Sequence, residues 1–150
     1  RGQRFAGDWG GPAMSYVVVD ASIWVSRLVP QDEHHERCQK WLLQQRAAGV
    51  TLVSPALLLP EVAGAISRRT GDGTLAERAI QMLQSLPGLR LVEMNQALIQ
   101  GAAQLAASCG MRGADSVYAA VAQQLNIPLA ALDVDQRTKA GKVVNIEKGF

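Results

Sequence analysis

The sequence predicts an α/β domain in which a central, mostly parallel sheet of four or five strands is covered by helices. Three observations lead there. Short β-branched or apolar runs break off abruptly, longer stretches of helical period separate them, and no hairpin dipeptide joins one run to the next. In open sheets of this kind ligands bind beyond the carboxyl ends of the strands, where strand order reverses.

The elements follow in chain order. Tyr16-Val17-Val18-Val19 is a β-branched run of the sort buried on both faces, and it stops at the charged Asp20. Helical patterns cover Ser22 to Leu28 and Asp32 to Ala48, with Gly49 as a stop. Thr51-Leu52-Val53 is a second strand. Helices then run over Ala56 to Arg69 and Thr74 to Leu86, parted by Gly71-Asp72-Gly73 and closed by Pro87-Gly88. Leu89 to Val92 is the third strand. Asn95 to Cys109 and Ala114 to Leu125 are Ala-rich helices, and Pro128 to Leu132 is a fourth strand that runs to Asp133. Gln136 to Ala140 reads as a short helix, and Lys142 to Asn145 as a fifth strand.

Composition bounds the function. The chain has 150 residues, 48% hydrophobic and 19% charged, which fits one globular core. A net charge of +2 is too small to announce a nucleic-acid partner, so RNA binding would need a local arrangement of Arg and Lys. Cys38 and Cys109 lie far apart, without metal spacing and too few for a secreted disulfide scaffold, which points to a reducing cytoplasm. No apolar run approaches the ~18 residues that span a bilayer, so no membrane partner is expected. Residues 1–13 are Gly-rich and lack an apolar period; they read as a disordered leader or expression scar ahead of a domain over 14–150 that opens at Met14.

Four carboxylates carry the chemistry. Asp20 sits at the top of the first strand, where it either caps the next helix or faces the crevice. Asp133 closes the fourth strand; of the two neighbouring acids, Asp133 is expected to reach the crevice and Asp135 to cap the short helix as a supporting group. Glu61 shares a helical face with Leu57, Leu58, Gly64 and Ala65, so its buried charge calls for Arg68 or a cation. Asp115 lies in a helix's first turn, on a stripe with Ala119 and Ala122. Clustered acids on separate elements suit magnesium or manganese, which take oxygen ligands and neutralise like charges. His34 and His35 lack a third ligand at zinc spacing and read as solvated surface. Arg68, Arg69 and Arg112 could line an RNA groove. Trp24, Leu28, Leu83 and Leu86 form apolar stripes, suited to the core or to a subunit contact.

The order Val-Val-Val-Asp20-Ala-Ser22, Leu-Leu-Leu-Pro-Glu61-Val, Arg112-Gly-Ala-Asp115-Ser-Val-Tyr-Ala-Ala and Pro-Leu-Ala-Ala-Leu-Asp133 resembles the PIN domain, especially VapC-type toxins. The resemblance spans Tyr16 to Asn145, and Arg-Gly-Ala-Asp-Ser-Val-Tyr is its most specific part. It implies a three-layer fold and a divalent-metal endoribonuclease, a homodimer held in check by an antitoxin partner. Asp20, Glu61, Asp115 and Asp133 fall on the family's acidic quartet, with Ser22 on its small hydroxyl position and Arg112 before the third acid. At position 131, where relatives often carry Thr or Ser, this chain has Ala131. Two other readings compete: a catalytically inactive PIN-like module that binds RNA or protein, and another Asp-dependent α/β phosphohydrolase. The second lacks its second Asp, because Ser22 stands there.

Overall fold

The computed structural model describes residues 15–150, so the expected leader over 1–13 and Met14 lie outside the described residues. Strand β1 (Tyr16–Val19) leads through α1 (Ala21–Leu28) and α2 (His35–Ala47) to β2 (Thr51–Pro55). Helices α3 (Leu58–Thr70) and α4 (Gly73–Ser85) lead to β3 (Leu89–Val92). Helices α5 (Gln96–Cys109) and α6 (Gly113–Leu125) lead to β4 (Leu129–Ala130), and α7 (Val134–Ala140) follows.

The strands lie in the order β3-β2-β1-β4, every pair parallel. Val18 stands opposite Val53 on one side and Leu129 on the other. Val17, Val18 and Val19 are all buried, as a central strand covered on both faces requires. Two crossovers step outward from β1 to β3, and the third returns to the far side of β1. Right-handed connections therefore place α1 to α4 on one face and α5 with α6 on the other. The reversal of strand order falls between β1 and β4, so the carboxyl ends of those two strands frame the crevice.

Local chemistry sets the boundaries. Asp20, Asp72, Asn95 and Asp133 each cap a helix by accepting a backbone N–H, and Gly71 (φ 70°) ends α3 in the left-handed conformation that only glycine adopts cheaply. Pro60 is tolerated within the first turn of α3, where a backbone N–H has no helical acceptor to lose.

Three expectations need correction. Lys142 to Asn145 form no strand: the chain turns after Ala140, and only Ile146 makes a single parallel bridge, to Leu129. The fourth strand is shorter than expected, because the chain leaves the sheet after Ala130. Helix α2 starts at His35, since Asp32 accepts the His34 N–H in a turn instead of opening the helix. Of the two readings of the apolar stripes the core reading holds: Trp24 and Leu83 are buried in the domain's own core, with Leu28 and Leu86 packed against it.

Candidate active site

Beyond the carboxyl ends of β1 and β4 lies an open groove of about 550 Å³. Asp20, Glu61, Asp115 and Asp133 all line it, together with Ser22, Arg68, Arg69 and Arg112. Residues from opposite ends of the sequence meet because strand order reverses there.

Each acid is held by its own donor. Asp20, buried, ends β1 and caps α1: its Oδ2 accepts the Ser22 N–H at 2.9 Å, and its Oδ1 accepts Gln136 Nε2 at 2.9 Å. The capping and crevice readings thus both hold for Asp20. Glu61 accepts the Tyr118 hydroxyl at Oε1, 2.7 Å away, and this phenol, not Arg68, is its partner. Asp115 takes Arg112 Nε at 3.0 Å. Asp133 accepts the Asp135 N–H at 3.1 Å and lies 3.5 Å from Arg112 Nη2.

The expected division between Asp133 and Asp135 holds in one half only: Asp133 reaches the groove as expected, but it also takes the capping role expected of Asp135. Asp133 is the helix cap and also faces the groove, because a cap at a strand's carboxyl end points its second oxygen outward. Asp135 stands in the first turn of α7 and pairs with Lys139 at 2.9 Å, away from the groove lining.

Burial raises the Glu61 carboxyl above its ordinary range; the Tyr118 hydrogen bond opposes this, and the neighbouring charges of Asp20 and Asp115 add to it. Burial likewise raises Asp115, with Arg112 opposing and Asp20 adding. Tyr118, buried beside Glu61, is driven upward and stays a hydrogen-bond donor. The acids are thus mutually coupled.

The far end of the groove holds a second charged group. Asp32 pairs with Arg69 at 2.9 Å and accepts the His34 N–H at 2.8 Å. Burial pulls its carboxyl upward, but hydrogen bonds from His34, Ser26 and Arg69 outweigh it and hold Asp32 below the ordinary value. His34 lines this end and His35 Nδ1 contacts the Ser26 carbonyl at 2.9 Å, so the pair is half-buried and not merely solvated. Arg69 is consequently tied down, whereas Arg68 folds back past Gly64, whose missing side chain leaves it the room.

Three supporting residues escape a reading of the sequence. Gln136 is buried and braces Asp20; its spacing four residues before buried Ala140 was the available signal. Tyr118 follows Asp115 by three positions, on the same helical face. Ser54, a polar residue in an apolar strand, donates to the Val19 carbonyl at 2.6 Å and accepts Trp24 Nε1 at 3.3 Å, fastening β2 and α1 beneath Asp20. At position 131 the Ala131 methyl is fully buried, so no hydroxyl is offered there.

As placed, no three His, Cys, Asp or Glu side chains among the described residues stand close enough to hold a metal ion. The four acids of the groove nonetheless offer only oxygen, and the buried Ser22 hydroxyl of the lining has no hydrogen-bond partner.

Comparison with known proteins decides the family. The profile described as PIN domain matches residues 17–142. The chain belongs to the PIN domain family. Solved PIN-like structures share its fold. The sarcin-ricin-loop-cleaving toxin VapC20 of Mycobacterium tuberculosis matches with a TM-score of 0.71 at 19% identity, over 87% of this chain and 98% of that one. FitAcB of Neisseria gonorrhoeae matches with a TM-score of 0.64 at 22% identity, over 89% and 97%. VapBC2 of Rickettsia felis, solved bound to a DNA fragment from its promoter, matches with a TM-score of 0.66 at 14% identity, over 88% and 97%. No curated protein matches in sequence. In this PIN domain the family's α/β architecture coincides with the predicted one, and its span takes in all four acids.

Proposed function

We propose that this PIN domain is a divalent-cation-dependent endoribonuclease, the toxin of a toxin–antitoxin pair, with Asp20, Glu61, Asp115 and Asp133 as the ligands of magnesium or manganese. The observation that carries the reading is the convergence of these four acids, from four separate elements, on one groove of a PIN-family chain. The donor set fits a hard cation: it is all oxygen, its members repel one another, and the orphaned Ser22 hydroxyl stands beside it.

Held by these four acids, a divalent cation would supply Lewis-acid charge at the scissile phosphodiester and make a water more acidic for in-line attack. The chain's own residues prepare the ground. Gln136 and the Ser22 N–H orient Asp20, and Tyr118 orients Glu61. Arg68 and Arg112 offer positive charge to the RNA backbone, and Arg69 does so only as far as Asp32 releases it.

The relatives support the wider reading. VapC20 is a toxin that cleaves the sarcin-ricin loop, and the VapBC2 structure was solved with promoter DNA. An RNA substrate, an antitoxin partner and a two-fold homodimer belong to the same proposal. Both cysteines are free thiols, in keeping with a reducing cytoplasm, and no helix among the described residues is long and apolar enough to cross a membrane.

The test is product chemistry. Synthetic RNA incubated with protein and magnesium or manganese should yield 5′-phosphate and 3′-hydroxyl ends, and a chelator should stop the reaction. Products ending in 2′,3′-cyclic phosphate would overturn the reading, because they require the RNA's own 2′-hydroxyl as nucleophile.

A further inference from the structure

Arg112 stands at the N-cap of α6 with its side chain 77% exposed, yet it is not free in solvent. Its Nε lies 3.0 Å from Asp115 Oδ2 and its Nη2 3.5 Å from Asp133 Oδ2. Asp115 comes from the first turn of α6 and Asp133 from the cap of α7, so one guanidinium bridges two walls of the groove. Both carboxylates it engages are among those assigned above to a cation. An oxygen lone pair serves one cation at a time.

Two features make the bridge reversible. An exposed arginine–carboxylate pair is weak, on the order of 0–1 kcal/mol, because water competes for both partners. With 77% of its side chain exposed, the arginine also has solvent to swing into. A divalent ion carries twice the charge of a guanidinium and gathers more oxygens, so it displaces such a pair.

We propose that Arg112 is an internal counter-cation: it bridges Asp115 and Asp133 when the groove holds no metal, and a divalent ion must displace it to bind. The inference rests on reading the acids as a cation site. It goes further in giving Arg112 a place among the carboxylates, not only along the RNA path. The bridge lowers the like-charge repulsion of the empty groove and sets a threshold on the ion concentration that loads it.

Calorimetric titration of manganese into the wild type, Arg112→Gln and Arg68→Gln tests this without any turnover. Arg68→Gln removes the same charge from the same groove but breaks no ion pair with these acids. Arg112→Gln should bind manganese about three- to fivefold more tightly than the wild type, the factor set by losing an exposed ion pair. Arg68→Gln should change affinity by less. In parallel, the Arg112 Nε–H resonance of nitrogen-15-labelled protein should move toward the position of a free arginine as magnesium is added. Unchanged or weaker manganese binding in Arg112→Gln overturns the inference, as does an Arg112 resonance that stays put at magnesium saturation, and either result leaves the nuclease reading standing. Absence of manganese binding in all three proteins overturns both.

Discussion

Tyr118 is fully buried and donates to Glu61 Oε1, so it is the group that keeps this carboxyl ionisable inside the fold. Tyr118→Phe removes that donor while burial and the charges of Asp20 and Asp115 remain, which drives the Glu61 carboxyl further up. The variant should lose about 1 kcal/mol of stability. Its manganese affinity should fall more at mildly acidic pH than at alkaline pH, where Glu61 is ionised in either protein. A pH-independent loss would show that Tyr118 acts on the fold alone. The sign of the stability effect is also set at this scale. Glu61 and Asp115 have raised folded-state pKa values, so the folded protein holds protons there that the unfolded chain releases above 4.5 and 3.8. Their cost to the metal-free fold is greatest at neutral pH and fades as pH falls through those raised values. Glu61→Gln in chelator should therefore melt higher than the wild type at neutral pH, and the gap should narrow on acidification. Asp32, with a lowered pKa, works the other way: it stabilises above 3.8, and that contribution is lost as pH falls through its folded-state value.

Helix caps and strand ends are the elements on which the groove is mounted. Asp133 both caps α7 and faces the groove, so its two duties can be separated by substitution. Asparagine caps about as well as aspartate, so Asp133→Asn should leave urea stability within roughly 0.5 kcal/mol of the wild type while weakening cation binding. A large loss of stability would mean that the charge, not the cap, is what α7 needs. Beneath the groove, Ser54 ties β2 to the Val19 carbonyl and to Trp24 of α1. Ser54→Ala strands two buried polar groups and should cost roughly 1–3 kcal/mol in urea denaturation. Because Val19 immediately precedes Asp20, the same change should loosen the metal site, which a conservative Ser54→Thr change with preserved hydrogen bonds should spare.

Across the whole molecule, RNA binding depends on a few arginines, because the net charge is only +2. The three groove arginines differ in freedom: Arg68 is unengaged by any acid in the groove, Arg69 is paired with Asp32, and Arg112 with two acids. Replacing Arg68 by Gln should therefore reduce RNA affinity, and the slope of affinity against salt, more than replacing Arg69 does. Fluorescence anisotropy over a salt series reads both, and equal effects would mean that the Asp32 pair opens readily. The proposed homodimer is checked by light scattering at micromolar concentration, where a monomer alone would refute it. Its face is not the Trp24 and Leu83 stripe, which the core consumes; Ile99 and Val134 are exposed apolar side chains on other elements.

The sequence by itself determined the parallel α/β class, because strand-length β-branched runs and helical periods are local patterns that tertiary contacts here reinforce. The span of β3 and the ends of α5 and α6 were legible for the same reason, the two helices from their bounding glycines Gly110 and Gly113. The four acids that line the groove stood out in the sequence too, since a carboxylate at a strand end or on a buried helical face contrasts with an apolar background. What only the tertiary structure decided is which groups those acids meet. Gln136 reaches Asp20 across 116 positions of chain, and Tyr118 reaches Glu61 across 57. No periodicity encodes such pairings. The lost fifth strand, the capping of α7 by Asp133 in place of Asp135, and the Arg112 bridge arise likewise from where α7 lands on the sheet edge, a matter of packing between distant segments and not of local propensity.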